Sequence, residues 1–222
     1  MKRILTSIVG ALFCLTVACA QGVTEAFTVY NSFRPAVIHL TNGRDIKNPL
    51  TNVFLKNASL LFMRGSLAME ADMETIAGVD FDDHKYVKID KMLCCLLDSV
   101  GNNRLYAATV IDFEAYNQML RNNVNITNFS LFDTMSGDQI NYTTVGEDPQ
   151  EKQQMPLINH FYYLFDGKIV KVHERELSRV LPKNKKRIYK TIISMEDFQW
   201  TDKNSLMKLL EAISRDTDEA AE

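Results

Sequence analysis

Between residues 36 and 111 the chain alternates short apolar segments with polar turn residues, a pattern that predicts antiparallel strands. The clearest hairpin is AVIHLTNGRDI, in which Asn42 and Gly43 can take the positive φ angles of a type I′ turn. Three more hairpins are expected, with the sequences NVFLKNASLLFM, VDFDDHKYVKID and MLCCLLDSVGNNRLYAATVID. Four successive hairpins predict a meander, half of a sandwich or a small open barrel.

Two segments of this part have a helical pattern instead. Residues 66–78, SLAMEADMETIAG, are rich in helix formers, and we predict a helix there, although Met69 and Met73 would also fit a strand. The segment DFEAYNQMLRNN follows the last strand, with Asp112 placed to cap a short helix.

The C-terminal part begins with LINHFYYLFDGKIVKV, which predicts two strands joined by a turn at Asp166 and Gly167. A short helix, HERELSRVL, should end at Pro182, and KNKKRIYKTIISM should place Ile188, Ile192 and Met195 on one helical stripe. A last helix, TDKNSLMKLLEAISR, has four apolar residues on one stripe: Leu206, Leu209, Leu210 and Ile213. The fold class is therefore α+β, an antiparallel β-rich N-terminal portion followed by a β-hairpin and C-terminal helices.

The N-terminus has the layout of a secretory signal peptide. Lys2 and Arg3 precede an apolar run that is shorter than the roughly 20 residues of a membrane-spanning helix. The small residues that follow predict cleavage between Ala20 and Gln21. In the alternative, Cys19 carries a lipid and the chain is a membrane-anchored lipoprotein.

This interpretation divides the chain into five parts. They are a signal peptide (1–20), a β-rich portion ending in a short helix (21–123), a polar excursion or linker (124–155), a hairpin with helices (156–215) and an acidic tail (216–222).

Export changes both the cysteine count and the charge. Two of the four cysteines lie in the first 20 residues, so Cys94 and Cys95 alone would remain and the fold must be held by its core. The whole chain has 25 basic and 28 acidic residues, and loss of Lys2 and Arg3 would leave 23 against 28. A mildly acidic chain is a poor candidate for binding nucleic acid.

Four stretches together resemble a family of uncharacterised secreted proteins of Bacteroidetes-type bacteria. They are PLTNVFLKNASLLF, VDFDDHKYVKID, FDGKIVKVHERELSRVLPKNKKRIYK and the closing pattern W-T-D-x-x-S-L-x-x-L-L-x-x-I. The family has no established activity. The resemblance therefore implies a compartment and an architecture, and it assigns a role to no residue.

Several residues could carry chemistry. In a strand, Cys94 and Cys95 point to opposite faces, so we expect two buried packing residues rather than a redox or metal site. Asp82, Asp83 and His84 supply the atoms that bind a divalent cation, but their spacing matches no known ligand loop and suits an Asp-rich turn. Cation binding there stays open.

The remaining candidates are weaker. His39, His160 and His173 lie in or beside predicted strands, and the sequence has no nucleophile elbow, zinc-protease motif, P-loop or dinucleotide fingerprint. The segment KNKKRIYK, residues 183–190, holds five basic residues. They form either a solvated helix face or a patch for anionic glycans or lipid head groups.

These observations favour an exported, non-catalytic binding or scaffolding protein whose partner is an envelope protein or a glycan of unknown identity. No cofactor, nucleic acid or further membrane span is expected. The alternative is a periplasmic enzyme of hydrolase type, with a site assembled by the fold around Asp82, Asp83 and His84.

Overall fold

The computed structural model describes residues 23–24, 27–122 and 155–215. The expected cleavage point between Ala20 and Gln21, the alternative lipid-bearing Cys19, nearly all of the excursion 124–155 and the tail 216–222 lie outside the described residues.

The described strands form one 11-stranded sheet in which every pair of neighbours is antiparallel. The strands are β1 (Val23–Thr24), β2 (Arg34–Leu40), β3 (Asp45–Phe54), β4 (Ser59–Arg64), β5 (Leu67–Glu70), β6 (Ile76–Asp80), β7 (Lys85–Ile89), β8 (Met92–Val100), β9 (Asn103–Ile111), β10 (Met155–Phe165) and β11 (Lys168–Lys171). Their order is β1-β10-β9-β8-β7-β6-β2-β3-β4-β5, and β11 pairs with β10.

Four helices accompany the sheet within the described residues. They are α1 (Phe113–Asn122), α2 (Glu174–Val180), α3 (Lys186–Ile193) and α4 (Lys203–Ser214). The predicted α+β class, with a β-rich N-terminal portion followed by a hairpin and C-terminal helices, is confirmed. Because β10 pairs with β9 over eight residues, the C-terminal hairpin extends the same sheet.

The five predicted hairpins are present, but the first turn differs in type. Gly43 has a positive φ of 80°, whereas Asn42 does not belong to the residues with positive φ, so the turn is not type I′. The Asn42 side chain instead accepts a hydrogen bond from Arg44 N at 3.1 Å. Asp166 and Gly167 do both have positive φ, as a type I′ turn requires.

The helix predicted for residues 66–78 is wrong. That segment forms β5, a turn and the start of β6, because its backbone pairs with β4 and β2 and tertiary pairing overrides helix propensity. Gly78, expected to end a helix, lies inside β6. A Cβ atom there would come within 2.6 Å of Tyr86 O, so the close approach of β7 requires glycine.

The sheet curls back on itself at the tip of the β3–β4 hairpin. Leu93 N at the start of β8 donates to Ala58 O at 2.8 Å, and Ile111 N at the end of β9 donates to Leu55 O at 2.7 Å. The tip therefore lies between the ends of β8 and β9, where these two strands separate. Among the three expected arrangements, this curling favours a small open barrel over a flat meander.

The buried apolar residues form four clusters, two of which are larger than the others. One fills the curled strands, and its buried members are Ala36, Ile38, Val53, Leu60, Ile76, Val79, Phe81, Tyr86 and Leu93. The other lies between the helices and β9, β10 and β11, and includes Leu105, Phe161, Tyr163, Phe165, Val170, Tyr189 and the predicted stripe of α4. Burial of apolar surface in these cores is the main stabilising contribution to the fold.

The predicted helical stripes are confirmed in α4 and only in part in α3. Asp202 caps α4 by accepting a hydrogen bond from Ser205 N at 2.7 Å, and all four stripe residues are fully buried. Around α3, Ile188 and Ile192 are half-buried but Met195 is 46% exposed. Tyr189 is the buried anchor of that helix instead.

Candidate functional site

Asp82, Asp83 and His84 form the turn between β6 and β7, next to the start of β2. Asp83 Oδ2 accepts a hydrogen bond from Arg34 Nη1 at 2.9 Å, and Asp83 Oδ1 lies 3.1 Å from His84 Nδ1. That second contact lacks hydrogen-bond geometry, so we treat it as electrostatic. Partial burial raises the pKa of the Asp83 carboxyl, but the contacts from His84 and Arg34 outweigh it and hold the pKa below its usual value.

Arg34 is itself held by aromatic rings. Its guanidinium lies 4.5 Å from the ring centre of Tyr30 and 6.0 Å from that of Phe81, and these two rings are 4.8 Å apart. A guanidinium that stacks on rings and pairs with a carboxylate satisfies both of its favoured interactions. The cluster therefore ties the β6–β7 turn to the start of β2.

Asp83 is engaged by a cation, and no group of three or more potential metal ligands converges anywhere in the described ranges. The contacts from His84 and Arg34 favour the ionised form of Asp83, which makes this carboxyl a poor proton donor. The geometry is that of a structural ion pair.

The two cysteines lie on opposite faces of β8, as predicted. Cys94 is fully buried beside Tyr106 and Tyr162, and Cys95 packs against the core of the curled strands. Burial raises the pKa of the Cys94 thiol to about 12, which keeps it protonated and unreactive at neutral pH. The two side chains cannot act on one substrate atom.

Two of the candidate histidines, His39 and His173, have structural partners, and His160 is a partly buried residue of β10. His39 Nδ1 lies 2.8 Å from Asp45 Oδ1 and its Nε2 lies 3.6 Å from Asp80 Oδ2, which links β2 to β3 and β6. The hydrogen bond to Asp45 raises the pKa of His39. His173 caps α2 by accepting a hydrogen bond from Arg175 N at 3.3 Å, so the sequence HERELSRVL needs it for helix geometry.

A depression of about 530 Å³ lies between β8 and α4. Its lining residues are Asp98, Lys203, Asn204, Met207, Lys208 and Glu211. Lys203 is engaged there, because its Nζ donates to Leu97 O at 3.2 Å. None of the candidate residues from the sequence lies in this depression.

The largest charge imbalance occurs between residues 166 and 190, which hold nine basic and three acidic residues in a chain of net charge −3. Seven basic side chains from β11, α3 and the preceding turn form what we call the cationic surface: Lys168, Lys171, Lys183, Lys185, Lys186, Arg187 and Lys190. Lys185 and Lys186 are half-buried and the other five are exposed. None of the seven forms an ion pair with a carboxylate in the described part of the chain.

Phe165 connects the hairpin to the helical part of this surface. Lys185 Nζ lies 5.3 Å above the ring centre of Phe165, and Phe165 pairs with Lys168 across the β10–β11 hairpin. Two lysines far apart in the sequence therefore flank one buried ring. Neither lysine forms an ion pair with a carboxylate of the described residues, so both ammonium groups are available to an anion.

No family model, curated protein or solved structure matches this chain. Its candidate sites must therefore be judged on their own geometry.

The sequence predicted only the helical half of the cationic surface. Lys168 and Lys171 were missed because their relation to α3 depends on packing of the hairpin against the helices. None of the described helices is both long and apolar enough to cross a membrane.

Proposed function

We propose that this chain is an exported, non-catalytic binding or scaffolding protein that holds an anionic ligand of the cell envelope through its cationic surface. The observation that carries the proposal is the set of seven basic side chains that have no carboxylate partner in the described ranges. Export itself rests on the signal-like N-terminus, which precedes the described residues.

The distribution of charge supports a binding role. Some carboxylates of the described residues pair with cations such as Arg34, Lys85 and Arg179. Other cations, such as Arg44, Lys47 and Arg64, have no carboxylate partner among these residues either, but they are not part of a run of basic residues like that between 166 and 190. Clustered lysines without such partners repel one another, and this repulsion falls when an anion binds between them. Five of the seven are exposed and can reach a ligand without rearrangement of the core.

The alternative is a hydrolase-type enzyme that uses Asp82, Asp83 and His84. Engagement of Asp83 by Arg34 counts against it, because the lowered pKa of that carboxyl makes proton donation poor. If the turn were the active site of an enzyme, Asp83→Asn would abolish the activity. The same substitution would leave anion binding at the cationic surface unchanged.

Retention on immobilised heparin, a sulfated polysaccharide, tests the binding role. The test variant carries four changes: Lys168→Gln, Lys185→Gln, Lys186→Gln and Lys190→Gln. The control variant removes four exposed charges elsewhere: Arg44→Gln, Lys47→Gln, Arg64→Gln and Lys91→Gln. Both variants have the same net charge, so a difference between them reports position and not total charge.

We expect the wild-type chain and the control to be retained, and the test variant to elute at clearly lower salt. The proposal fails if both variants elute together, or if the wild-type chain is retained neither on heparin nor on immobilised polygalacturonate. Melting temperatures of all three proteins establish that each is folded.

A further inference from the structure

We infer that the ligand of the cationic surface is a linear anionic polysaccharide that passes around the edge of the sheet at β11, touching lysines on both faces. This inference rests on the proposed function and adds the class and path of its ligand. It comes from the placement of cations on two sides of one strand.

Lys168 and Lys171 lie on opposite faces of β11. They are three positions apart, and successive side chains of a strand alternate between faces. Lys168 is paired with Phe165, a member of the core beneath the helices. Lys171 is paired with Tyr162, which belongs to the core on the other face.

On the helix-covered face the cations continue beyond Lys168. Lys185 sits above the ring of Phe165, and the adjacent Lys186 begins α3. Lys190 follows one helical turn later, about 6 Å along the axis. A chain of anionic groups lying along α3 would meet these side chains in succession before it reaches the hairpin.

On the opposite face, Lys171 lies near His160 of β10. Lys171 pairs with Tyr162, and His160 lies two residues away on the same face of β10. Burial and the charge of Lys171 lower the pKa of His160, and the Asp112 carboxylate opposes them in part. His160 is therefore neutral at physiological pH and does not compete with Lys171 for an anion. On the face of β11 opposite Lys168, Lys171 is the side chain that can contact an anion.

The strand between these faces is an edge. Within the described residues β11 pairs with β10 alone, so no further strand separates Lys168 from Lys171 along the outer side. Gly167, with a positive φ of 76°, makes the tight turn next to Lys168 and adds no side chain there. A flexible chain can follow this rim from one face to the other.

A lipid bilayer fits this arrangement less well. A flat surface can meet the lysines of one face only, and peripheral helices bind bilayers by inserting their apolar side. The apolar side of α3 is already used, since Tyr189 is buried and Ile188 and Ile192 pack against the same core. A polysaccharide requires no such insertion.

The test compares three single variants of the full chain. Lys168→Gln removes a cation from the helix-covered face and Lys171→Gln removes one from the opposite face. Lys47→Gln, at an exposed position on β3, is the matched control. Binding is measured over a range of salt concentrations with a heparin oligosaccharide, with polygalacturonate, and with vesicles of phosphatidylglycerol in phosphatidylcholine; neutral dextran is the blank.

We expect heparin, polygalacturonate or both to bind, and each of Lys168→Gln and Lys171→Gln to weaken binding about fivefold at near-physiological salt. Each change should also reduce the slope of log affinity against log salt, since fewer counterions are released on binding. The double variant should lose the product of the two factors, and Lys47→Gln should match the wild-type chain.

Two results would overturn the inference and are distinguishable from failure of the proposed function. If the vesicles bind more tightly than both polysaccharides, or if Lys171→Gln behaves as Lys47→Gln does, the ligand does not pass around β11 and the binding role survives. If the wild-type chain binds none of the anionic probes, the proposed function fails together with the inference.

Discussion

The curled strands β2–β9 and the C-terminal hairpin with its helices differ in how they use charged and reactive side chains. Among the groups of the strands and their turns that suggested chemistry, Asp83 pairs with Arg34, His39 pairs with Asp45, and Cys94 is buried. In the C-terminal part, seven basic side chains lack carboxylate partners among the described residues. Paired charge fixes the fold, whereas unpaired charge is available to a ligand.

The largest effect on stability is expected from the apolar core beneath the helices, which supports α3 and its basic side chains. Leu209 on α4 is fully buried in the core that also holds Tyr189 of α3. Leu209→Ala should lower the free energy of unfolding by about 2–5 kcal/mol, because it leaves a cavity as well as losing apolar burial. Urea unfolding measures this, with the exposed Glu211→Ala as a control expected to lie within about 0.5 kcal/mol of the wild-type chain. A Leu209→Ala variant as stable as this control would show that α4 does not support the surface.

A smaller effect is expected at Cys94, where the comparison assigns packing and not chemistry. Cys94→Ala should cost about 1 kcal/mol, comparable to other losses of one buried heavy atom. The native protein should resist alkylation at Cys94 until it is unfolded, since the thiol is buried and its pKa is raised to about 12. Rapid alkylation of Cys94 in the native state would contradict the packing role.

The Arg34–Asp83 pair should make a modest contribution that depends on pH. The pKa of Asp83 is lowered in the folded chain, so the pair stabilises fully above the unfolded value of 3.8 and this contribution is lost as pH falls through the lowered pKa. Both side chains are partly exposed, which screens the interaction. Arg34→Met should therefore lower the melting temperature at neutral pH. In acid, the difference in melting temperature between this variant and the wild-type chain should be smaller. An equal difference in melting temperature at both pH values would show that the ion pair does not contribute to stability.

The smallest effect on stability is expected at the cationic surface itself. The four-lysine variant, Lys168→Gln with Lys185→Gln, Lys186→Gln and Lys190→Gln, should change the melting temperature little, because relief of repulsion opposes the loss of the contact between Lys185 and the Phe165 ring. It removes repulsion and breaks no ion pair among the described residues. A loss of stability comparable to that of Leu209→Ala would show that these lysines stabilise the fold. The two regions would then not differ in how they use charged side chains.

Local patterns predicted much of the fold because each hairpin combines apolar runs with a recognisable turn. The segment AVIHLTNGRDI pairs as expected even though only Gly43 takes a positive φ. Residues 66–78 misled because their pairing partners lie elsewhere in the chain. Leu60 supplies two of these contacts, one between its O and Ala71 N at 2.8 Å and one between its N and Met73 Sδ at 3.4 Å. Helix propensity cannot register such contacts.

The candidate sites were less predictable for the same reason. Asp83 and Arg34 are 49 residues apart. The residues of the turn therefore suggested a metal site, because nothing in the local sequence indicated that Arg34 pairs with Asp83. The basic run 183–190 was visible, but its extension to Lys168 depends on the packing of Lys185 against Phe165. Sequence showed which residue types were present, and the tertiary structure determined which of them have partners.

The most direct test is the chemical-shift change of backbone amides when a heparin oligosaccharide is added to the ¹⁵N-labelled chain. We expect the chemical-shift changes to be concentrated at the amides of Lys168, Lys171 and residues 185–190, with little change at the β6–β7 turn. Changes centred on Asp82, Asp83 and His84, or spread evenly over the chain, would contradict the assignment of binding to the cationic surface.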